Sequence, residues 1–145
     1  LVKRFNLRVY GIVLNDKREV LVSHERRGGY EFTKFPGGGV ELGEGILDAL
    51  HREFKEELDA VIDTSTFFYV NEHFQASNFK SSDQVISFYY RVTLDYTSIK
   101  TGVSNLPLGA SEVSDFERVS WVPLSQELLS LMTFPIDKMV ITKIL

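Results

Sequence analysis

Arg52, Glu53, Glu56 and Glu57 crowd into a short segment of helical period, preceded by Glu44 and by the run Phe35-Pro36-Gly37-Gly38-Gly39. On a helix, at about 100° per residue, Leu47, Leu50, Phe54 and Leu58 form one apolar stripe that must face a core. By the same arithmetic Glu57 lies roughly 65° from the centre of that stripe, Glu53 about 105° and Glu56 about 165°. Two carboxylates therefore flank the buried face and one points away. Like charges spaced by three and four repel by a few tenths of a kcal/mol per pair, and Arg52 offsets only part of that. A hard divalent cation would balance the rest, since Mg²⁺ is held by one or two carboxylates together with substrate phosphates. Without such an ion, the same pattern is a solvated acidic helix face.

The context of the acids is more specific than the acids themselves. Residues 38–60, GGVELGEGILDALHREFKEELDA, resemble the signature of the Nudix hydrolases: Gly38, Glu44, Arg52, Glu53, apolar Phe54, Glu56, Glu57 and apolar Ala60 all fit. Asp59 departs, standing where the family has glycine. With each charged type near 6% of residues, a chance match from Gly38 to Glu57 is on the order of one in ten million per window. Asp59 falls just past the expected helix end, where glycine is favoured for its left-handed conformation; aspartate enters that region less readily, so a small stability cost with intact chemistry is expected.

The resemblance implies that Glu53, Glu56 and Glu57 bind Mg²⁺, or Mn²⁺ in its place, with a backbone carbonyl of Gly37 or Gly38 as a further ligand. It implies also that Glu44 and Arg52 hold the segment together by a charged contact. The implied reaction is attack of water on one phosphorus of a diphosphate, in a nucleoside diphosphate linked to another group or in a nucleoside triphosphate: a pyrophosphohydrolase. Bound metal neutralises the phosphate oxygens and activates water in such chemistry. Glu56 is one candidate general base. Glu112, Asp115 and Glu117, shortly before Trp121, are alternatives outside the signature, and Glu112 is the expected extra metal ligand. Arg26 and Lys34, with Tyr30 and Phe32 to stack on a base, are the expected substrate contacts; the aromatics serve equally as core plugs. Proline or tyrosine marks that separate known subfamilies downstream of the signature are absent, so the substrate is left open. The alternative reading is a non-catalytic ligand-sensing domain on the same fold. A diphosphate isomerase is disfavoured, because its relatives use a cysteine and this chain has none.

The composition sets outer limits. A chain of 145 residues, 43% hydrophobic and 25% charged, suits one domain over residues 1–145 with a substantial core. The absence of cysteine excludes disulfides and thiolate metal sites. The net charge of −4 disfavours a nucleic-acid polymer as partner and requires local cations for a phosphate-bearing substrate. No apolar run is long enough to span a membrane, and the polar N-terminus lacks a signal peptide's apolar region. The missing initiator Met points to a trimmed chain. A cytoplasmic enzyme of a small nucleotide-type substrate is expected, with a homodimer left open. His24, His51 and His73 lack metal-ligand spacing, and Trp121 reads as a core anchor.

The remaining elements must position the acids. Residues 5–14 and 19–24 have strand composition around the turn residues Asn15-Asp16-Lys17-Arg18, which predicts a hairpin. Residues 26–34 read as a mobile loop carrying Gly28-Gly29. Glycines 37–39 allow close backbone approach to metal or phosphate. A helix is expected over residues 46–58, followed by strands over 66–74 and 85–94, an irregular stretch over 97–115 and a strand over 118–122. Ser125 should cap a helix through Leu131, and Pro135 should open a last one, as the first turn needs no amide donor. The fold class is α/β: helices against a mixed, largely antiparallel sheet, which the resemblance sharpens to an α/β/α sandwich.

Overall fold

A computed structural model describes residues 1–95 and 115–145. Among them the chain forms β1 (Arg4–Ile12), β2 (Glu19–Arg27), β3 (Tyr30–Lys34), β4 (Gly37–Gly39), α1 (Ile46–Leu58), β5 (Ile62–Val70), β6 (Asp83–Leu94), β7 (Phe116–Pro123), α2 (Gln126–Leu131) and α3 (Pro135–Ile144). The elements group into two compact units, one built from residues 1–13 and 36–95, the other from 14–35 and 115–145. No helix among the described residues is long and apolar enough to cross a membrane.

The first unit holds a four-stranded sheet in the order β4-β1-β6-β5. β1 pairs with β6 in parallel and with β4 antiparallel, and β5 pairs with β6 antiparallel. Both strands expected downstream of the helix are present and pair with each other, the first shifted to Ile62–Val70 from the expected 66–74. The helix α1 packs on this sheet through Leu50, Phe54 and Leu58, all fully buried together with Ala49. Leu47 departs from expectation: although on the same stripe it lies in the first turn and stays 41% exposed. The approach of helix and sheet is closest at Gly11, where an added Cβ would lie 2.3 Å from Cζ of Phe54. Any larger residue there would push the ring out of its place, so the glycine sets how deeply α1 seats.

The second unit holds an antiparallel sheet, β3-β2-β7, with α2 and α3. Ser125 caps α2, its Oγ accepting from the N–H of Leu128 at 3.3 Å, and Pro135 opens α3; both follow the sequence pattern. Its apolar core includes Val20, Leu21, Val22, Leu128, Met132, Val140 and Ile141. Four of the five strand pairings in the two sheets are antiparallel, so the sheets are mixed and largely antiparallel, in an α/β arrangement as expected.

Two local readings are corrected. The turn at residues 15–18 exists, with Arg18 N–H bonded to Asn15 O at 3.1 Å, but the hairpin it closes is only a tip: Leu14 bridges Val20, after which β1 and β2 enter different sheets. Residues 26–34 are no open loop. β2 and β3 form a hairpin whose Arg27 pairs with Tyr30, turned by Gly28 and Gly29 at φ 58° and 83°. Two successive positive φ values suit a tight two-residue connection, and two glycines supply them without strain.

Candidate active site

The site begins with the short strand β4, which hydrogen-bonds to β1 with Gly38 opposite Val9 and Gly39 opposite Arg8. The helix α1 lies against it. Gly45 N–H donates to Asp48 Oδ2 at 2.9 Å, one half of a capping box, and places an acid in the first turn where the helix dipole favours it. At the other end Asp59 adopts the left-handed conformation, φ 50° and ψ 37°, and its N–H reaches Lys55 O. This is the glycine-favouring position anticipated from the sequence, here filled by aspartate.

Arg52 organises the acids. Its Nε donates to Glu44 Oε2 at 2.6 Å and its Nη2 to Glu44 Oε1 at 2.9 Å, a two-pronged pair. The same Nη2 reaches Gly39 O at 2.9 Å, tying helix to strand. Nη1 spans Glu53 Oε1 at 2.9 Å and Glu56 Oε2 at 3.4 Å. Planar guanidinium forks match carboxylates in this way, and lysine cannot. The Arg52 fork, with a further hydrogen bond from the Glu41 backbone, holds the Glu44 carboxyl down at about 2; the Arg52 pKa is raised in turn, first by Glu44.

Glu53 and Glu57 then turn toward the glycine strand. The Gly37 N–H donates to Glu57 Oε2 at 3.1 Å. At Gly38 an added Cβ would sit 2.5 Å from Glu53 Oε1 and 2.8 Å from Oε2, so the strand must lack a side chain for that carboxylate to lie where it does. Glu56 stays open, its side chain 59% exposed. The donor set is entirely hard oxygen: three carboxylates along one helix edge, beside backbone carbonyls of a strand that approaches without side chains. That is the ligand chemistry of Mg²⁺ or Mn²⁺ rather than of a thiophilic metal. The residues fit such an ion.

The expected substrate contacts belong to the second unit. Lys34 is buried, 5% exposed, with Nζ 3.0 Å from Glu25 Oε2 and donating to Phe35 O at 3.3 Å. Phe32 is buried too, stacked on Tyr30 at 5.8 Å and tilted against Phe134 at 5.6 Å. Tyr30 is exposed, and half-buried Arg26 lies 3.5 Å from Glu31. Of the acids ahead of Trp121, Asp115 Oδ1 accepts from Gly28 N–H at 3.0 Å, and Glu117 pairs in register with Glu25 while lying 3.8 Å from Arg27. Glu112 lies outside the described residues.

Sequence reasoning passed over Glu25, 1% exposed, which accepts from Ser23 Oγ and from Arg27 Nε, each at 3.0 Å. Burial pushes its carboxyl up, but Lys34 with the bonds from Ser23 and Arg27 outweighs that and leaves it below the ordinary range. The signal was present, because period two along β2 puts Glu25 on the face of Leu21 and Ser23. His24 bridges Thr33 Oγ1 at 2.9 Å and Ser120 Oγ at 3.1 Å; burial, then Arg118, lowers its pKa. It is a satisfied structural histidine.

Comparison with known proteins gives a family. A model described as NUDIX domain matches residues 4–142, whereas no curated protein matches the chain. Among solved structures, the chain is similar to a MutT NUDIX hydrolase from Burkholderia pseudomallei, with TM-score 0.66 and 17% identity over 99% of this chain and 100% of that one. It is similar also to the ORF135 protein of E. coli, with TM-score 0.65 and 19% identity over 96% and 87%. A NUDIX hydrolase from Nitrosomonas europaea gives TM-score 0.63 and 18% identity over 95% and 86%. At these identities the structural likeness speaks for the fold.

Proposed function

The chain belongs to the NUDIX domain family, and from that premise we propose that it is a Mg²⁺- or Mn²⁺-dependent hydrolase of a phosphoanhydride bond. Its substrate is a nucleoside diphosphate linked to another group, or a nucleoside triphosphate. The observation that carries this reading is the pairing of α1 with β4: Glu53 lies where a Cβ on Gly38 would intrude, and Glu57 takes the Gly37 N–H. A merely solvated acidic helix has no need of a side-chain-free strand against its carboxylates.

Glu53, Glu56 and Glu57, with a carbonyl of Gly37 or Gly38, would hold the metal, which when bound neutralises phosphate oxygens and lowers the pKa of water. Arg52 and Glu44 keep the helix and strand in register, as the forked contacts support. Glu56, the most open of the three acids, is placed to accept the proton of attacking water. Water attacks one phosphorus and a phosphate or phosphomonoester departs. The family match across nearly the whole chain supports a single domain. A net charge of −4 favours a small nucleotide over a polymer, and a cytoplasmic setting completes the reading.

The test is incubation with Mg²⁺ and a panel of nucleotide sugars, dinucleotides, ADP-ribose and nucleoside triphosphates, scored by chromatographic separation of the phosphomonoester, pyrophosphate and phosphate products. Turnover of at least one member is expected. Silence across the panel would favour a ligand-sensing domain instead.

A further inference from the structure

Two consecutive residues of α1 rest on two glycines in neighbouring strands. Glu53 lies over Gly38, and Phe54 lies over Gly11, where an added Cβ would come 2.3 Å from Cζ and 2.7 Å from Cε1 of the ring. Val9 pairs with Gly38, and Gly11, two residues further along β1, presents the same face of the sheet. Gly11 does not adopt a positive φ, so its backbone suits any L-residue and glycine serves there for space alone. It has a second tie to the site. Its N–H donates to Pro36 O at 2.9 Å, which fixes the chain immediately before Gly37. One residue of β1 therefore holds the entry to the glycine strand by its backbone and seats the acidic helix by its missing side chain.

Phe54 is fully buried, and a close-packed interior leaves its ring no empty space to turn into. Val92 Cγ2 stands 3.2 Å from the same added Cβ, so an alanine methyl has no retreat on that side. Clearing a Cβ at 2.3 Å to a carbon contact distance of ~3.5 Å takes about 1 Å of movement, and the ring passes that movement to the helix that carries it. Glu53 adjoins Phe54 and Glu57 stands on the next turn, so both carboxylates move with it. Glu57 Oε2 accepts from the Gly37 N–H at 3.1 Å, and lengthening by ~1 Å ends that hydrogen bond. Resting on the metal-dependent reading above, we infer that Gly11 is a positioning residue. It sets the distance between the carboxylates of α1 and the backbone of β4, and through that distance the affinity of the site for a divalent ion. A site whose ligands stand ~1 Å from their productive geometry is present but too loose to work.

The experiment is a double-mutant cycle of wild type, Gly11→Ala, Phe54→Leu and the two changes together; leucine lacks the ring atoms that the new methyl would strike. Mn²⁺ binding is followed by electron paramagnetic resonance of the free ion, stability by thermal melts, and the metal-free geometry by the amide NMR resonance of Gly37. Gly11→Ala should weaken Mn²⁺ binding about tenfold or more, the usual cost of disturbing the groups that orient metal ligands, and should shift the Gly37 amide. Phe54→Leu should melt lower, because it opens a cavity, yet bind Mn²⁺ with nearly wild-type affinity. The double variant should regain most of the lost affinity and the wild-type Gly37 resonance while still melting below wild type, so that affinity and stability part company. Unchanged affinity in Gly11→Ala overturns the inference, as does affinity that follows melting temperature through all four proteins, or no recovery in the double variant. If wild type binds no Mn²⁺, the metal-dependent reading fails by itself and the Gly37 resonance decides. A shift in Gly11→Ala that Phe54→Leu reverses then supports the inference, and an unmoved or unreversed resonance overturns it. Should Gly11→Ala alone fail to fold, the double variant is compared with Phe54→Leu: equal Mn²⁺ affinity supports the inference, and weaker binding or a second failure to fold overturns it.

Discussion

Glu44 shows how much of this site depends on single contacts. Its carboxylate takes both prongs of Arg52 and is held at about 2, against about 4.3 for an unperturbed glutamate. A folded-state pKa below the unfolded one contributes stability that is fully present above the unfolded value and is lost as pH falls through the folded one. Wild type should therefore lose that contribution between about pH 4.3 and pH 2. Glu44→Gln, which cannot titrate, should show a shallower fall in melting temperature across that window while being less stable at pH 7. Parallel pH profiles for the two proteins would contradict the assigned pairing. The spacing of Arg52, Glu53, Glu56 and Glu57 made these residues legible from sequence because a helix fixes their relative directions, whereas Glu44, ahead of the helix, was legible only through the resemblance to a family signature. Gly11 was not legible, since its place under Phe54 arises only when α1 packs on the sheet.

At the scale of elements, α1 carries one evident imperfection. Asp59 ends it at φ 50°, a conformation that costs a non-glycine residue roughly 1 kcal/mol, only partly recovered by aspartate's tolerance of that region. Its exposed contact with Lys55 returns little, as surface pairs at this spacing contribute about 0.3–0.5 kcal/mol. Asp59→Gly should stabilise the fold by about 0.5 kcal/mol, seen as a melting temperature raised by a degree or two, with turnover unaltered. A lower melting temperature would show that the ion pair outweighs the strain. Both ends of α1 were readable, because capping residues and the apolar stripe are local. The β2–β3 hairpin was not: Gly28-Gly29 signals flexibility and a tight turn equally, and only the register of Arg27 with Tyr30 decides. Leu47 was misread for a related reason, since helical phase says which way a side chain points but not whether anything lies there.

In the molecule as a whole, the parallel pairing of β1 with β6 joins segments more than seventy residues apart, and no periodicity along the chain encodes it. The Glu25–Lys34 pair was hidden as a pair, because the period of β2 marks Glu25 alone and nothing along the chain joins it to Lys34. Expected as a substrate contact, Lys34 sits where its removal would leave the buried Glu25 with Ser23 and Arg27 but without its enclosed cation. Lys34→Met should destabilise by about 3 kcal/mol, readable as a lower denaturation midpoint at unchanged slope. A midpoint within error of wild type would show that the enclosed pair contributes nothing to stability. The fold class and the acids of the signature were accessible from sequence, then, while the supports that aim them emerged only with strand pairing.

The central claim is that the carboxylates beside the glycine strand hold a divalent ion on which phosphoanhydride hydrolysis depends. It is tested most directly by titrating wild type and Glu57→Gln with Mn²⁺, following the free ion by electron paramagnetic resonance, and assaying both proteins on whichever nucleotide the wild type cleaves. Saturable Mn²⁺ binding that weakens at least tenfold in Glu57→Gln, with kcat falling by two orders of magnitude or more in a protein that still melts cooperatively, is the predicted result, a size typical of losing one electrostatic group from such a site. Equal Mn²⁺ affinity and equal turnover in the two proteins would contradict it.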